Sequence, residues 1–255
     1  MQLRERFFFS GLVILISGFT ACNKGQNCLT NTGKINIDGR VVGEFDSIYL
    51  NDNVNLILTQ DTINKVSVEA GENIISGITT VVNEHHQLII HNENSCNWLR
   101  NYSDPVNVYV SFSASRPRLY LYYNSSGNVR STNLLFNDTI QIDTWGGCGS
   151  INLFISCQKG IFVQHMGTVD LKLKGRCIQS NIFAGDYGKF DFSDLETGYI
   201  YIKNYGTNNC YVRAIHQLDA TVGSIGNIYY MTNPPPEVIL KTPPGTDQIL
   251  PDPGK

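Results

Sequence analysis

The sequence predicts an all-β protein wound as a solenoid, and three observations lead to that prediction. Glycines recur about every 20 residues between 127 and 230, and each opens a run that mostly alternates apolar and polar side chains. A further alternating run lies between successive glycine phrases. The composition combines 23 glycines and 25 tyrosine or phenylalanine residues (13 and 12) with only 16% charged residues, which is typical of β-structure rather than helix.

The two kinds of run define a rung of about 20 residues with two strands and two turns. The glycine phrases begin at Gly127, Gly149, Gly167, Gly188, Gly206 and Gly223, and the runs between them cover 139–143, 160–164, 178–183, 198–202 and 215–221. Glycine suits the turns because it adopts positive φ without the steric cost of a Cβ. Neither run can bury its apolar side alone, so stacked rungs are predicted.

The residues before and after the repeats extend this prediction. Residues 78–82 and 87–91 alternate at period two and flank a predicted hairpin turn. We interpret 40–231 as a single superhelix domain, with a separate small β domain ahead of the repeats as the alternative. Prolines crowd the segment 232–255, which is predicted to cap the open end of the solenoid. A proline-rich linker is the other interpretation of that segment.

The first 22 residues predict an exported lipoprotein. Two arginines precede the apolar run 7–19, and small residues then lead to Cys22. That run is too short and too terminal for an ordinary membrane span. The sequence Phe-Thr-Ala-Cys at 19–22 resembles a bacterial lipobox, so Cys22 is the predicted lipidation site and 23–39 the polar tether. A plain signal peptide that ends beside a cysteine is the alternative.

Export determines how the remaining cysteines are interpreted. We expect the chain to be lipid-anchored in the outer membrane, on its periplasmic or its cell-surface side. Disulfides form in such oxidising compartments. Cys28 and Cys96 are the candidate disulfide pair, because both precede the repeats and could join the tether to the domain. The sequence leaves the pairing of the other four cysteines open: Cys148, Cys157, Cys177 and Cys210.

An ordered set of phrases resembles a known family. The set is Phe-Asp-Ser-Ile at 45–48, Val-Asn-Leu-Ile-Leu-Thr-Gln at 54–60, Glu-Ala-Gly-Glu-Asn at 69–73, Cys-Asn-Trp-Leu-Arg at 96–100, and the glycine phrases at Gly149, Gly167 and Gly226. It is similar to the "putative auto-transporter adhesin, head-GIN domain" family, typically Bacteroidetes lipoproteins, over about residues 40–250. The resemblance implies a right-handed, pectin-lyase-like β-superhelix with a role in cell adhesion and no identified catalytic residues. The proline-heavy C-terminus departs from the family pattern.

Residue chemistry gives little support to catalysis. β-Helical folds include carbohydrate-active enzymes, which usually need two carboxylates at a set separation. Asp170 and Asp191 occupy equivalent places in their glycine phrases, as do Asn152 and Asn209, and we interpret the four as one outward polar ladder rather than a calcium or catalytic site. No nucleophile elbow, P-loop or dinucleotide fingerprint occurs in the sequence. No catalytic residue, metal site or cofactor is predicted.

Outward tyrosines are the candidate ligand contacts. Tyr199 and Tyr201 alternate with isoleucines, and Tyr120 and Tyr122 flank a leucine, so the rings should point away from the core. Flat amphipathic rings can stack on sugars or line a protein interface. Cross-strand packing is the alternative role. A net charge of −3 without a basic cluster in the mature chain argues against nucleic acid as a partner.

The sequence therefore predicts a non-enzymatic, lipid-anchored envelope protein that presents a solenoid face for adhesion. Its expected partners are the membrane, through the lipid anchor, and a glycan or a host or cell-surface protein. Two alternatives remain. One is a carbohydrate-active enzyme on the same β-helical scaffold, and the other is a structural envelope protein that forms homo-oligomers.

Overall fold

The protein is a β-solenoid, and the 17 strands of its described residues are hydrogen-bonded into one continuous sheet. The computed structural model describes residues 31–95, 105–113, 117–231, 236–241 and 249–252. The strands are β1 Ile35–Arg40, β2 Ser47–Asp52, β3 Asn55–Asp61, β4 Lys65–Gly71, β5 Ile78–Val82, β6 Gln87–Asn92, β7 Asn107–Ser113, β8 Arg118–Ser125, β9 Val129–Ser131, β10 Leu135–Gly147, β11 Ser150–Gln164, β12 Asp170–Ala184, β13 Phe190–Asn204, β14 Cys210–Val222, β15 Ile228–Tyr230, β16 Glu237–Lys241 and β17 Ile249–Pro251. The all-β solenoid prediction is confirmed.

Helical structure is confined to a short 3₁₀ helix at Ile75–Gly77 among the described residues. In that part of the chain, no helix has the length and apolar character needed to span a membrane. The architecture therefore depends on strand pairing, and the helical turn only connects β4 to β5.

The repeats stack as parallel strands, as the sequence period predicted. Ile151 lies beside Leu171, Leu171 beside Phe190, and Phe190 beside Cys210. All four side chains are buried, so each position of a rung forms a column that runs through successive strands. The sequence period of about 20 residues is confirmed as the length of one turn of the solenoid.

Each rung is one long strand that bends, where the sequence predicted two strands separated by a second turn. In β11 alternate residues are buried from Ile151 to Cys157, two exposed residues follow, and alternation resumes at Gly160. At these two exposed residues the strand bends, and its second part runs along the other side of the core. The parallel pairing with β12 continues through the bend. We call the part before the bend the first face and the part after it, together with β8, the second face.

Unlike the bend within a rung, the connection between successive rungs is a turn, and side chains from the core form hydrogen bonds with it. Gly167 adopts φ of +104° between β11 and β12, a conformation that favours glycine. Polar side chains of one inward column donate to turn carbonyls: Tyr123 to Gly127 (2.6 Å), Gln164 to Val169 (3.1 Å) and Asn204 to Asn208 (3.0 Å). At these three turns a side chain from within the core therefore satisfies a backbone carbonyl, which stabilises the turn.

At the N-terminal end, neighbouring strands in the sheet do not follow one another in the sequence. β2 and β3 pair with β8 and β9 on one side and with β6 and β7 on the other, all in parallel. β5 and β6 form the predicted antiparallel hairpin. Antiparallel β4 and β1 then extend the first face beyond β7, so β1 takes the last residues of the predicted tether into the sheet. The strands ahead of the repeats thus continue the same sheet and core.

Three short parallel strands, β15, β16 and β17, follow the last long rung. β16 pairs with β14, and β17 pairs with β15. Of the predicted cap at 232–255, the structure describes 236–241 and 249–252, which prolong the two faces. The leader, Cys22, Cys28 and Cys96 lie outside the described residues.

Candidate functional site

The four predicted contact tyrosines lie on the outer side of the second face, in two groups. β8 carries Tyr120 and Tyr122, and β13 carries Tyr199 and Tyr201. Tyr120 and Tyr201 occupy the same column, which continues between them through Gln141, Ile161 and Asn181. Four strand spacings separate the two groups, or about 19 Å at about 4.8 Å per spacing.

The first group is engaged in cross-strand packing. Tyr122 stacks on Tyr49 with ring centroids 5.0 Å apart, and Tyr120 meets Tyr49 edge-on at 5.8 Å. The Tyr120 hydroxyl donates to Asp143 Oδ2 at 3.1 Å. Burial raises the pKa of Tyr120 well above its usual value, and Asp143 adds to the shift. These half-buried rings therefore stabilise the pairing of β2 with β8, in the manner of other cross-strand aromatic pairs.

The second group is open to solvent. Tyr199 and Tyr201 are 42% and 41% exposed. Tyr201 borders a shallow concavity of about 340 Å³, which we call the tyrosine hollow; its other lining residues include Ile161, Val163, Phe183, Lys203, Asp219 and Lys241. Lys241 Nζ pairs with Asp219 at 3.1 Å across its rim. The hollow joins an apolar floor to charged hydrogen-bonding groups at the edge.

A second concavity, the bend groove, runs along the bend between the two faces. Its larger part encloses about 600 Å³ and is lined by residues that include Phe136, Ile178, Tyr199 and His216. An adjoining part of about 420 Å³ is lined by residues that include Phe154, Asp194 and Arg213, and the two parts share Ser156, Arg176 and Glu196. Tyr199 thus lines the bend groove, whereas Tyr201, two residues further along β13, lines the tyrosine hollow. The groove was not predicted, because its lining comes from five different strands, β10 to β14.

Charge in the bend groove is arranged around one carboxylate. Glu196 Oε1 lies 3.1 Å from Arg213 Nη2, and Glu196 Oε2 lies 3.4 Å from Arg176 Nε. Both carboxylate oxygens therefore already face guanidinium groups. Such exposed ion pairs are worth about 0–1 kcal/mol, so a polar ligand can compete for the arginines at small cost.

The polar residues of the glycine phrases do not form the single ladder that the sequence predicted. Asp170 pairs in register with Ser150, whereas Asp191 pairs with Lys172, two positions further along the rung. Asp170 Oδ1 accepts a hydrogen bond from the Lys189 N–H at 2.9 Å in the next rung. The prediction of one shared column is wrong for these carboxylates, and Asp170 has a structural role in joining rungs.

Further contacts of the same kind recur at other rungs. Asn128 Oδ1 accepts from the Ser150 N–H, and Asn209 Oδ1 accepts from the Asn227 N–H, both at 3.0 Å. Burial opposes ionisation of Asp191, but hydrogen bonds from Ser193 and the nearby lysines outweigh it and lower its pKa. Within the described ranges, no group of three or more His, Cys, Asp or Glu side chains is placed to hold a metal ion.

The stacked sheet, its exposed tyrosines and its shallow concavities define a β-solenoid with a surface suited to binding. Comparison with protein families then identifies the particular family. The family model described as "Putative auto-transporter adhesin, head GIN domain" matches residues 44–234, and the chain belongs to that family. The resemblance drawn from the sequence phrases is confirmed. A search of the curated proteins finds no match.

Several crystal structures share the fold. A putative adhesin from Bacteroides fragilis has a TM-score of 0.71 at 21% identity, with 82% of this chain and 94% of that chain covered. A putative adhesin from Parabacteroides distasonis has a TM-score of 0.60 at 14% identity, with coverage of 83% and 93%. A protein of the same species described as a putative lipid binding protein has a TM-score of 0.63 at 16% identity, with coverage of 83% and 94%. At these identities the likeness shows the fold alone.

Proposed function

We propose that the protein is an exported, lipid-anchored adhesin that binds surface glycans through the outer side of its second face and catalyses no reaction. The observation that carries this proposal is the pair Tyr199 and Tyr201. Both rings are about two-fifths exposed and lie two residues apart on β13, which is paired on both sides in the parallel sheet and so holds them at a fixed separation. A tyrosine ring offers a sugar a flat apolar surface, and its hydroxyl offers a hydrogen bond.

The concavities beside these rings support a glycan as the ligand. The tyrosine hollow and the bend groove have volumes in the range of about 300–1,000 Å³ that ligand sites occupy. Both are open and shallow, which suits one stretch of a long polymer better than an enclosed small molecule. Lys203, Asp219 and Arg176 lie around them as hydrogen-bonding groups for hydroxyls. A host or cell-surface protein is the other ligand that exposed aromatic rings accommodate.

Membership of an adhesin family and the state of the groove carboxylates favour binding over catalysis. Glycoside hydrolysis uses one carboxyl group as a general acid and a second as base or nucleophile. In the bend groove, Asp194 and Glu196 are the two carboxylates, and Glu196 already contacts Arg176 and Arg213. This arrangement holds a charged side chain in place, as a binding surface requires.

The leader supplies the membrane attachment in this proposal. Cys22 would carry acyl chains that each contribute about 0.8 kcal/mol per buried CH₂, and stable anchoring needs more than one chain. The outer membrane is the proposed location, with the domain on its periplasmic or cell-surface side. The lipobox-like sequence supports this assignment, and so does the Bacteroidetes lipoprotein character that the family resemblance implies.

An array of glycans and extracellular-matrix proteins tests the binding proposal. The soluble chain from residue 23 onward, which lacks the lipidation site Cys22, should bind a set of related glycans. The double variant Tyr199→Ala/Tyr201→Ala should weaken binding at least about tenfold, which corresponds to about 1.4 kcal/mol. The matched control is Tyr211→Ala/Tyr229→Ala, which removes a stacked tyrosine pair from the outer side of the first face. Absence of any glycan binding, or equal loss in both double variants, contradicts the proposal.

Two further measurements address the anchor and the self-assembly alternative. Growth with a tagged fatty acid should label the wild-type chain, and Cys22→Ala should be unlabelled and released from the membrane fraction. A Cys22→Ala chain that stays membrane-bound contradicts lipid anchoring. Light scattering of the same soluble chain should show a monomer at high concentration, whereas concentration-dependent growth favours a structural, self-assembling protein.

A further inference from the structure

Two of the cysteines whose pairing the sequence left open lie side by side in the core. Cys157 of β11 and Cys177 of β12 are direct partners in the parallel ladder. Their Sγ atoms are 3.2 Å apart, in a thiol–thiol hydrogen bond donated by Cys157. The residues are 6% and 5% exposed. They occupy the inward column at the bend, where adjacent rungs place the same side chain at the same point of the turn.

The expected distance between the Cα atoms of Cys157 and Cys177 falls in the range found in disulfides. Partners on adjacent strands lie about 4.8 Å apart, and disulfides join Cα atoms about 4.4–6.8 Å apart. Both Cβ atoms point inward from equivalent positions of the ladder. The two sulfurs therefore need only side-chain rotation to reach the bonding distance of about 2.05 Å.

We propose that Cys157 and Cys177 form a disulfide that cross-links two adjacent rungs at the floor of the bend groove. The proposal rests on the export inferred above, because the envelope supplies the oxidant. A thiolate of the pair attacks an oxidised disulfide, such as oxidised glutathione or an envelope dithiol oxidant, and displaces one of its sulfurs as a thiolate. The second thiolate then attacks the mixed disulfide. In sum, the pair loses two protons and two electrons, and the oxidant is reduced to two thiols.

The surroundings favour this pair over the other described cysteines. Both side chains line the bend groove, which gives an oxidant a path to them. The hydrogen bond from Cys157 lowers the pKa of Cys177, although burial opposes the shift, so Cys177 is the better attacking group. Cys210 is fully buried, and burial raises its pKa to about 12. Cys148 is exposed and lies outside the pair.

Such a bond would hold the bend groove, which is part of the proposed glycan-binding surface, in one conformation. Ser156 and Arg176, which line both parts of the bend groove, directly precede the two cysteines. A covalent link between the rungs holds these side chains at a constant separation. The cross-link thus stiffens the groove, and a rigid surface loses less conformational freedom when it binds a ligand.

Peptide mapping of the exported chain tests the bond directly. The full chain, produced with its leader in a bacterial host, is alkylated in denaturant without reductant and cut with trypsin. A linked pair of peptides, 131–159 with 177–189, is expected, and reductant should separate it. Because peptide 131–159 also contains Cys148, the Cys148→Ser variant is the matched control and should keep the linkage. Alkylated Cys157 and Cys177 in the exported chain overturn the proposal, and so does loss of the linked pair in Cys148→Ser.

Thermal unfolding with and without reductant tests the bond independently of peptide mapping. Reductant should lower the thermal midpoint of the exported wild-type chain by several degrees more than that of Cys157→Ser, because only the wild type has the bond between residues 157 and 177 to lose. If Cys157→Ser does not fold, the map of Cys148→Ser still decides the outcome. Free thiols at both Cys157 and Cys177 in an exported chain contradict the disulfide whatever the glycan array shows. A chain retained in the cytoplasm contradicts the proposed function instead, and treatment with oxidised glutathione then tests the pair alone.

Discussion

Gln164 donates a hydrogen bond of 3.1 Å from its buried side-chain amide to the carbonyl oxygen of Val169. Its Oε1 atom accepts from the Gly188 N–H at 3.2 Å in the following rung. One core side chain thus closes a turn and ties that turn to the next. Because each rung of a solenoid contacts only its neighbours, buried contacts of this kind help to keep successive rungs in register.

Replacing Gln164 by leucine should destabilise the whole repeat. The substitution leaves the Val169 carbonyl and the Gly188 N–H buried without partners, at about 1–3 kcal/mol each. The thermal midpoint should therefore fall by roughly 5–15 °C. The control is Gln158→Leu on the same strand, an exposed position where little change is expected. Equal midpoints for the two variants would show that the inner hydrogen bonds are not needed.

Gly175→Ala should be among the more damaging single-methyl additions. Gly175 lies inside β12 with φ of +115°, and a Cβ there would collide with the backbone carbonyl of Ile155 in the neighbouring strand. Strain and collision together should cost about 2 kcal/mol or more. Gly39→Ala in β1 is the control, since a Cβ at that position meets nothing within 4 Å. Chemical denaturation measures both, and an unchanged Gly175→Ala would contradict the close approach of the two strands.

Tyr109→Phe should alter the pH dependence of stability. The Tyr109 hydroxyl donates to Glu69 Oε2 at 2.6 Å, and this bond, with one from Asn107, lowers the pKa of Glu69 below its usual 4.5. A lowered folded-state pKa gives stability that is present above about pH 4.5 and is lost as pH falls through the folded value. The variant should therefore lose stability at pH 7, by about 1 kcal/mol or less, and approach the wild type at pH 2.

Urea unfolding at the two pH values measures this difference. Tyr187→Phe, which alters a tyrosine that is 57% exposed, is the control and should show the same small effect at both pH values. A Tyr109→Phe deficit that stays constant between pH 7 and pH 2 would mean that the tyrosine acts through packing instead of through the Glu69 carboxylate.

Substitution of Asp170 separates a structural role from a chemical one. Asp170→Asn keeps an oxygen that can accept from the Lys189 N–H, whereas Asp170→Ala removes it. The alanine variant should lose about 1 kcal/mol and the asparagine variant about 0.5 kcal/mol or less. Added calcium should not shift the midpoint of the wild type. A calcium-dependent rise that disappears in Asp170→Asn would instead indicate a metal site.

Much of the candidate surface followed from alternation in the sequence. Tyr199 and Tyr201 flank Ile200, and that pattern placed both rings outside the core, where the structure has them. Alternation could not distinguish them from Tyr120 and Tyr122, which are half-buried against Tyr49. Tyr49 is far away in the sequence, and only the insertion of β2 beside β8 brings it into contact.

The sequence by itself determined the class of fold, the repeat length and the side of the sheet on which the four candidate tyrosines lie. These properties depend on local periodicity, because a period of two sets the faces and a period of about 20 sets the stacking. The tertiary structure decided the bend within each rung, the order of the early strands, the bend groove and the meeting of Cys157 with Cys177. Each depends on the register between strands, where a shift of one residue would send side chains to the opposite side.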